Sequence, residues 1–394
     1  MTELFIKEQE DRRDIALVEN GKIIEYYEED NEQNRKEGNI YIGIVKDIVK
    51  GMQSAFIDIG IDKNSFIHLK DILPKVDETK EKQKDNVEIS DFVKYGQKLV
   101  VQVEKDSNEN KGARVSTHIN LPGKYIALLP NTDIITVSQK IEDKEEQKRL
   151  IALVKKHLSK GNGAIIRTSA EGKEQEIIDD IKKIEKKWNK IIETNVNPEK
   201  NIPQILYKSE NIIERILIDL TGKRIEKIVV SSKNLMNGIK QFISENEEYK
   251  SIKLELQDKE NIFKIYDIEK QIEKIQNRKI WLKCGGFITI DKTEALTAID
   301  VNTGKFTGTK SLEQTVFRVN KEATIEIAKQ LKLRDIGGII IIDYIDMNNE
   351  KSKKEIEELL KKELKKDRSK TQVEGFTKLE LMELTRKHIC SHKD

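Results

Sequence analysis

The chain has 394 residues, 37% hydrophobic and 36% charged, so it is long enough for several domains and apolar enough to bury cores. The 72 Lys and Arg residues nearly balance the 70 Asp and Glu residues, and the net charge of +2 excludes a global attraction to nucleic acid. Two cysteines exclude a disulfide framework; with no apolar segment typical of a signal peptide or a membrane span, the sequence predicts a cytoplasmic protein.

Short strands dominate the first part of the chain. Residues 13–27 predict a β-hairpin, because Asn20-Gly21 is a favoured pair for a tight turn. Residues 40–118 contain short apolar segments separated by turn residues, which is typical of a small closed or partly closed β-barrel. The polar stretch 74–91 interrupts this pattern and predicts an exposed excursion.

The middle of the chain mixes helices and strands. Apolar residues at helical spacing predict a helix over 145–158, and "GAIIRTSA" (163–170) predicts a buried strand that ends on Arg167 and Thr168. A long charged helix is predicted around 173–194. This block differs from the barrel and indicates a separate subdomain.

The last part of the chain has the clearest pattern. Two strands, 285–291 and 295–302, precede a helix over 312–335, which the Gly337-Gly338 pair is expected to end. The apolar run 339–347 then predicts a strand covered on both faces. Strand, helix and strand in this order favour an α/β sheet.

Acidic side chains lie at the ends of the two strands that this helix connects. A right-handed strand–helix–strand unit would bring Asp300 and Asp343 to the same end of a sheet. Two adjacent carboxylates repel unless a cation joins them, and Mg²⁺ prefers oxygen ligands. Asn302 shares the face of Asp300, where its amide could orient water or a phosphate oxygen. The alternative is structural, with Asp300 ending a strand and Asp343 or Asp346 capping a helix.

Long segments of the sequence are similar to one known family. Residues 285–308, "GGFITIDKTEALTAIDVNTGKFTG", together with residues 320–347 resemble the catalytic segment of the ribonuclease E/G family. Residues 38–72 resemble that family's RNA-binding barrel, and "GAIIRTSAEG" (163–172) resembles its 5′-end sensor. These segments follow the family's order and spacing, so the resemblance extends along nearly the whole chain.

The resemblance implies an α/β (α+β) multidomain fold, with an RNase H-like segment interrupted by an OB-fold barrel and a 5′-sensor subdomain and followed by a DNase I-like α/β catalytic domain. The implied domains are 1–37 for an N-terminal hairpin of the RNase H-like subdomain, 38–118 for the OB-fold RNA-binding barrel, 119–205 for the 5′-end sensor, 206–280 for the rest of the RNase H-like subdomain, 281–385 for the catalytic domain and 386–394 for a short tail.

The resemblance also implies an activity: a Mg²⁺-dependent, single-strand-specific endoribonuclease in rRNA processing and mRNA decay. It would leave 5′-phosphate and 3′-hydroxyl ends and be stimulated by a 5′-monophosphate. Asp300 and Asp343 would hold Mg²⁺, and Asn302 would position the scissile phosphate or the attacking water. Asp346 would lie outside the ligand pair or be structural. These roles agree with the chemistry of metal-assisted phosphodiester hydrolysis.

RNA-binding residues follow from the same resemblance. Phe56 and Phe66 match the family's aromatic pair that stacks on RNA, and Lys105 and Lys111 match basic positions at the barrel exit. The structural alternatives are core packing for the two phenylalanines and a solvated surface for the lysines.

Arg167 and Thr168 match the family's residues that bind a terminal 5′-monophosphate. A guanidinium can form two parallel hydrogen bonds to phosphate, and a threonine hydroxyl can add a third. The alternative is an Arg salt bridge and a Thr that caps a turn.

The end of the sequence departs from the family pattern, in which a Cys-Pro-x-Cys element shares a zinc ion between protomers and a small domain follows. Here "LTRKHICSHKD" contains Cys390 between His388 and His392, so the chain looks like a short form. Zinc bound by Cys390 and a histidine is chemically feasible, and a free thiol is the alternative. Because the family's zinc ion joins two protomers, whether this chain forms a homodimer depends on whether Cys390 binds zinc.

Two other classes of function stay open. The first is an RNA-binding or scaffold protein with an idle nuclease site, but such a site has no physical reason to keep buried carboxylates unpaired. The second is a metal phosphoesterase acting on DNA or small molecules, against which the RNA-binding barrel and the sensor-like pocket argue.

Overall fold

The computed structural model describes residues 1–10, 12–30, 36–72, 87–107, 111–195, 202–220, 225–246, 249–258, 261–304 and 312–389. The chain forms two compact units. The first unit comprises residues 1–32 and 223–394, and the second comprises residues 33–222. None of the helices within the described ranges combines the length and apolar character needed to span a bilayer.

The first unit begins with three antiparallel strands, β1 (Thr2–Glu8), β2 (Arg12–Glu19) and β3 (Lys22–Asp30). Asn20 and Gly21 connect β2 to β3 with φ angles of 50° and 75°. Both values are positive, as a tight hairpin turn of this kind requires. The predicted hairpin is therefore confirmed.

The second unit begins with a closed five-stranded β-barrel, as the sequence predicted. β4 pairs with both β5 and β7, and β8 joins β6 to β7, which completes the ring. The strands are β4 (Ile40–Val49), β5 (Ser54–Asp58), β6 (Ser65–His68), β7 (Lys98–Lys105) and β8 (Arg114–Ser116).

The polar excursion in the barrel is exposed only in part. Residues 73–86 lie outside the described part of the chain. Residues Ile89–Asp91 form a 3₁₀ helix, and Ile89 is fully buried in the barrel core. The expectation of exposure is wrong for Ile89, because its apolar side chain packs in the barrel core.

A small four-stranded sheet follows in the second unit, in the order β11-β12-β10-β9. Apolar residues of α1 and α2 pack in one core with this sheet. β13 extends the barrel by pairing with β4. The elements are β9 (Leu121–Pro122), β10 (Ile126–Pro130), β11 (Ile135–Val137), α1 (Lys144–His157), β12 (Asn162–Ile166), α2 (Gln175–Asn195), β13 (Gln204–Tyr207) and α3 (Ile212–Asp219).

The chain then returns to the first sheet. β14 pairs in parallel with β1, and β15 pairs in parallel with β14, giving the order β15-β14-β1-β2-β3. The elements are β14 (Lys227–Val230), α4 (Lys233–Glu245), β15 (Lys253–Leu256), α5 (Ile262–Ile265) and α6 (Ile268–Ile275).

A six-stranded sheet of order β16-β17-β18-β19-β21-β20 completes the first unit. β18 and β19 are parallel neighbours, as the strand–helix–strand pattern predicted. The elements are β16 (Lys279–Trp281), β17 (Phe287–Lys292), β18 (Leu296–Asn302), α7 (Leu312–Leu333), β19 (Gly338–Asp343), α8 (Glu350–Leu364), β20 (Thr371–Phe376) and β21 (Met382–Arg386).

The apolar run at β19 is covered on one face, so the expectation of two covered faces is wrong. Ile340 and Ile342 are fully buried, whereas Ile339 is 51% exposed. The buried pair packs in a core that contains the apolar residues of α7 and α8. The helices therefore cover one side of the sheet at this strand.

The glycine pair does not end α7. The first residue after the helix in the left-handed conformation is Asp335, with φ of 47°, whereas Gly338, with φ of 84°, already begins β19. The N–H of Ile336 bonds the carbonyl oxygen of Leu331 at 2.9 Å, and an ion pair of 2.8 Å with Arg386 holds the buried Asp335 in place. A short polar side chain tolerates this conformation. A contact from a distant strand thus fixes the helix end.

Candidate functional site

Asp300 and Asp343 face each other across two neighbouring strands. β18 and β19 run in parallel, and Asp300 lies directly opposite Asp343. Asn302 lies two residues further on the same side of β18, and its Nδ2 donates to Asp300 Oδ2 at 2.5 Å. The structure therefore brings these three side chains together at the carboxyl ends of adjacent strands.

These side chains lie on the side of the sheet opposite the core formed with α7 and α8. We call this side, which carries Phe287, Thr289, Asp300, Asn302 and Asp343, the open face. Asp300 and Asp343 are both exposed. The expectation of buried carboxylates is wrong, because the helices pack their apolar residues against the other side of the sheet.

Negative charge accumulates around Asp343. Its limited burial, and then the charges of Asp300 and Asp346, hold the pKa of Asp343 above its usual value. The structural alternative of a helix cap does not apply, because the side chain of Asn349 caps α8 by accepting the N–H of Lys351 at 2.9 Å. The neighbouring carboxylates therefore repel one another, and a cation would relieve that repulsion.

The donor set at this position suits a hard divalent cation. Mg²⁺ commonly takes one or two carboxylates from a protein and keeps several water ligands. Within the described ranges, no group of three or more His, Cys, Asp or Glu side chains is placed to hold a metal. The facing pair Asp300 and Asp343 fits Mg²⁺ that completes its shell with water and substrate oxygens.

The zinc prediction concerns residues at the end of the chain. Cys390 and His392 lie outside the described residues. His388 lies inside them, and its Nδ1 is 2.8 Å from the carbonyl oxygen of Asp335. Cys284 is 9% exposed and belongs to the core of the six-stranded sheet, as the sequence predicted.

Arg167 and Thr168 directly follow β12, so the strand that was predicted to end on these two residues stops just before them, at Ile166. Arg167 Nη1 donates to the carbonyl oxygen of Gly123 at 2.6 Å, and Nη2 forms an ion pair with Asp219 at the end of α3. Thr168 Oγ1 lies 3.0 Å from Ser138 Oγ. Sequence reasoning missed Asp219. A phosphate bound at Arg167 would compete with this carboxylate.

Phe56 and Phe66 lie side by side on the outside of the barrel. They are directly opposite each other in the β5–β6 pair, and both are half-buried. Their neighbours Ala55, Ile57 and Ile67 are fully buried in the barrel core. The alternative of core packing is therefore wrong for both phenylalanines. Accessible aromatic rings of this kind can stack on bases of any sequence.

Basic residues continue the row that the two rings begin. Phe66 is opposite Arg114 in β8, and Arg114 is opposite Lys105 in β7. Arg114, which sequence reasoning missed, donates to Asp71 through Nε at 3.1 Å and Nη2 at 2.7 Å. Lys105 and Lys111 are exposed. The barrel surface thus presents two rings followed by cations.

The chain is a multidomain α/β protein with a carboxylate site at the strand ends of one sheet. Its closed barrel carries accessible aromatic rings and basic side chains. A model of the Ribonuclease E/G family matches residues 120–389. Three relatives agree with this match.

Ribonuclease G of Escherichia coli (strain K12) is 39% identical over 390 residues, which are 98% of this chain and 79% of that protein. Ribonuclease G of Haemophilus influenzae is 42% identical over 379 residues, covering 95% of this chain and 77% of that protein. Ribonuclease E of Nostoc sp. (strain PCC 7120) is 33% identical over 388 residues, covering 95% of this chain and 56% of that protein. The chain belongs to the ribonuclease E/G family.

Proposed function

We propose that this protein is an endoribonuclease of RNA processing and decay, which cuts single-stranded RNA to 5′-phosphate and 3′-hydroxyl ends. The observation that carries the proposal is the register of β18 and β19, which places Asp300 opposite Asp343 with Asn302 beside them. Relatives named Ribonuclease G and Ribonuclease E, aligned over nearly the whole chain, support this reaction class.

Asp300 and Asp343 would hold Mg²⁺ through their carboxylate oxygens. When bound, such an ion supplies a nucleophile at neutral pH and neutralises charge that develops on the phosphate. Asp346 contributes negative charge near Asp343 and lies on the loop after β19, outside the facing pair. The exposed position of the two carboxylates leaves room for an RNA strand to approach them.

Asn302 would position the reacting groups. An amide carries two N–H donors. One of them fixes the orientation of Asp300 through the 2.5 Å hydrogen bond. The other can donate to an oxygen of the scissile phosphate, which would align that phosphate with the carboxylates.

The barrel would hold the single strand. Phe56 and Phe66 would stack on bases, and Lys105 and Lys111 would neutralise backbone phosphates. Stacking requires unpaired bases, because the faces of paired bases are already covered by their neighbours. This requirement accounts for a preference for single-stranded RNA.

Arg167 and Thr168 would bind a 5′-monophosphate and stimulate cleavage. The guanidinium offers paired donors that match phosphate oxygens. The ion pair with Asp219 occupies one of its arms, so the terminal phosphate would displace this carboxylate. A 5′-triphosphate end would be a poorer ligand for this pair of residues.

The finer domain layout is part of the proposal. The sheet that joins β1–β3 to β14 and β15 supports an RNase H-like segment formed by 1–37 and 206–280. The closed barrel supports an OB fold over 38–118. The sheet of β9–β12 supports a sensor subdomain over 119–205, and the six-stranded sheet supports a DNase I-like domain over 281–385.

The decisive experiment uses a 5′-monophosphorylated single-stranded RNA, with Mg²⁺ and with EDTA. Wild type should cut the RNA with Mg²⁺ and fail to cut it with EDTA. Asp300→Asn should lose more than about 100-fold in rate, because even partners outside the ligand shell of a metal contribute about 10–100-fold. Glu374→Gln is the matched control, since Glu374 is an exposed carboxylate on β20 of the same sheet.

Two outcomes would contradict the proposal. Cleavage that persists in Asp300→Asn would reject this catalytic site. RNA binding without cleavage by wild type would favour the RNA-binding or scaffold protein.

A further inference from the structure

An exposed tryptophan lies on the open face, near the proposed catalytic residues. Trp281 of β16 is 60% exposed, although burying so large a ring would favour folding. Trp281 is opposite Phe287 of β17, and Phe287 is opposite Asn302 of β18. These residues form one row across the sheet. Neighbouring strands are about 4.8 Å apart, so the backbone of Trp281 lies about 10 Å from that of Asn302.

A lysine places positive charge over both rings. Lys279 Nζ lies 3.5 Å from the centre of the Phe287 ring and 4.3 Å from the centre of the Trp281 ring. The two rings meet edge to face with centres 5.3 Å apart. This arrangement offers an aromatic surface and a cation together, which are the two groups that hold single-stranded nucleic acid.

The same lysine lies in the row of the carboxylates. Lys279 is opposite Thr289, Thr289 is opposite Asp300, and Asp300 is opposite Asp343. An RNA phosphate at Asp300 therefore has carboxylates on the β19 side and a lysine with two rings on the β16 side. Charge complementarity would direct the rest of the anionic strand toward β16.

We propose that Trp281, Phe287 and Lys279 form a base-binding subsite for the RNA strand beside the scissile phosphate. A base stacks on Trp281, Phe287 supports the indole ring from its edge, and Lys279 contacts a backbone phosphate. The inference rests on the proposed function of Asp300 and Asp343. Because stacking tolerates every base, this subsite adds affinity at the reaction centre without sequence preference.

Intrinsic fluorescence reads this subsite directly. The sequence contains two tryptophans, and the other one, Trp188, is only 9% exposed. A short 5′-monophosphorylated single-stranded RNA is titrated, with Mg²⁺, into the full chain carrying Asp300→Asn, which keeps the RNA uncut. Emission should be quenched as RNA binds, and the quenching should be lost when Trp281→Phe is added, since Trp188 alone then emits.

RNA anisotropy in the same titration shows when binding is saturated. Saturated binding without quenching would overturn the proposal.

Cleavage kinetics give a second readout. Trp281→Ala should lower kcat/KM on single-stranded RNA by about 10-fold, mainly through KM, as expected for the loss of one stacked base. Trp281→Phe keeps an aromatic ring and should restore most of this loss. Leu379→Ala is the control for removing exposed apolar surface, because Leu379 is 80% exposed on the turn between β20 and β21. An unchanged kcat/KM in Trp281→Ala would overturn the proposal.

The outcomes separate this subsite from the function on which it rests. Quenching by RNA that wild type does not cut would keep the subsite and reject the nuclease. Cleavage by wild type without quenching would reject the subsite alone. Trp281→Ala could instead change the mass of the protein assembly in solution while RNA binding, measured by anisotropy, and RNA cleavage stay unchanged. Trp281 would then belong to a contact between proteins, and the proposal would fail.

Discussion

The open face and the Arg167 site handle charge in opposite ways. On the open face, partial burial raises the pKa of Asp343, and its neighbours of the same sign, Asp300 and Asp346, raise it further. At the other site, Arg167 already has a carboxylate partner in Asp219. The first site would gain stability by taking up a cation. The second would give up an internal ion pair to bind an anion. Suitable residue types therefore indicate where a site lies. Only the neighbours of those residues show whether their charge is already neutralised by an ion pair.

The largest effect is expected from removing a charge on the open face. Asp343→Asn should lower kcat/KM on single-stranded RNA by more than about 100-fold, because the change would remove one of the two proposed Mg²⁺ ligands. The same change should leave the melting temperature unchanged or slightly higher, because it removes repulsion from Asp300 and Asp346. Kinetics and thermal unfolding, with Glu374→Gln as control, measure both quantities. A fall in melting temperature matching the loss of activity would point to a structural role instead.

A smaller and more selective effect is expected at the compensated site. Arg167→Ala should slow the cleavage of 5′-monophosphorylated RNA by about 10-fold or more, since hydrogen bonds to charged groups contribute about 1.5–3 kcal/mol. RNA with a 5′-triphosphate should be cut at the same rate by wild type and variant. Parallel rate measurements on the two RNAs test this. Equal rates on both substrates in wild type would remove the sensor from the proposal.

On the barrel, the proposed contact with RNA is an uncharged one, the stacking of Phe66 on a base. Phe66→Ala should raise KM for single-stranded RNA by about 10-fold, within the range for one stacked base, with little change in unfolding. Its neighbour Ile67 is fully buried, so Ile67→Ala should cost about 2–5 kcal/mol of folding free energy. Denaturant unfolding and RNA kinetics on both variants separate surface from core. Unfolding of Phe66→Ala as easy as that of Ile67→Ala would contradict the placement of the ring outside the core.

The smallest effect is expected from removing the charge of Asp219, which forms the ion pair with Arg167. Asp219→Asn should tighten the binding of 5′-monophosphorylated RNA by up to about 5-fold, because partly exposed ion pairs contribute up to about 1 kcal/mol. RNA with a 5′-hydroxyl should bind as before. Glu210→Gln is a matched control, since it removes the 2.6 Å ion pair with Lys187 in the same unit. Weaker binding of the monophosphorylated RNA by Asp219→Asn would show that the carboxylate orients the guanidinium instead of blocking it.

Local sequence patterns were enough for features that local chemistry decides. The Asn20-Gly21 turn follows from the φ values these residues tolerate. The helix predicted over 312–335 is found as α7, and Val319, Ala323 and Ile327, which recur in it at helical spacing, are buried. The parallel neighbours β18 and β19 follow from the handedness of strand–helix–strand units.

Contacts between distant residues decided what the sequence did not reveal. Asp335 ends α7 because Arg386, far along the chain, holds it. The partner of Arg167 is likewise a residue of another element, Asp219. The continuous apolar run that begins at Ile339 could not indicate which face of the sheet the helices would cover. The spacing of residues in the sequence does not reveal such distant partners. The residue types of a site were therefore predictable, but the ion pairs that neutralise their charge were not.

The parallel pairing of β1 with β14 has a consequence for folding. Glu3 lies opposite Lys227, so the first strand completes its sheet only after the whole second unit has been synthesised. A nascent chain therefore carries a three-stranded ribbon whose β1 edge has unpaired N–H and C=O groups, while the contiguous barrel-containing segment is free to fold first. Closing so long a loop is slow. During that interval, the unpaired edge of β1 is open to pairing with a strand of another molecule.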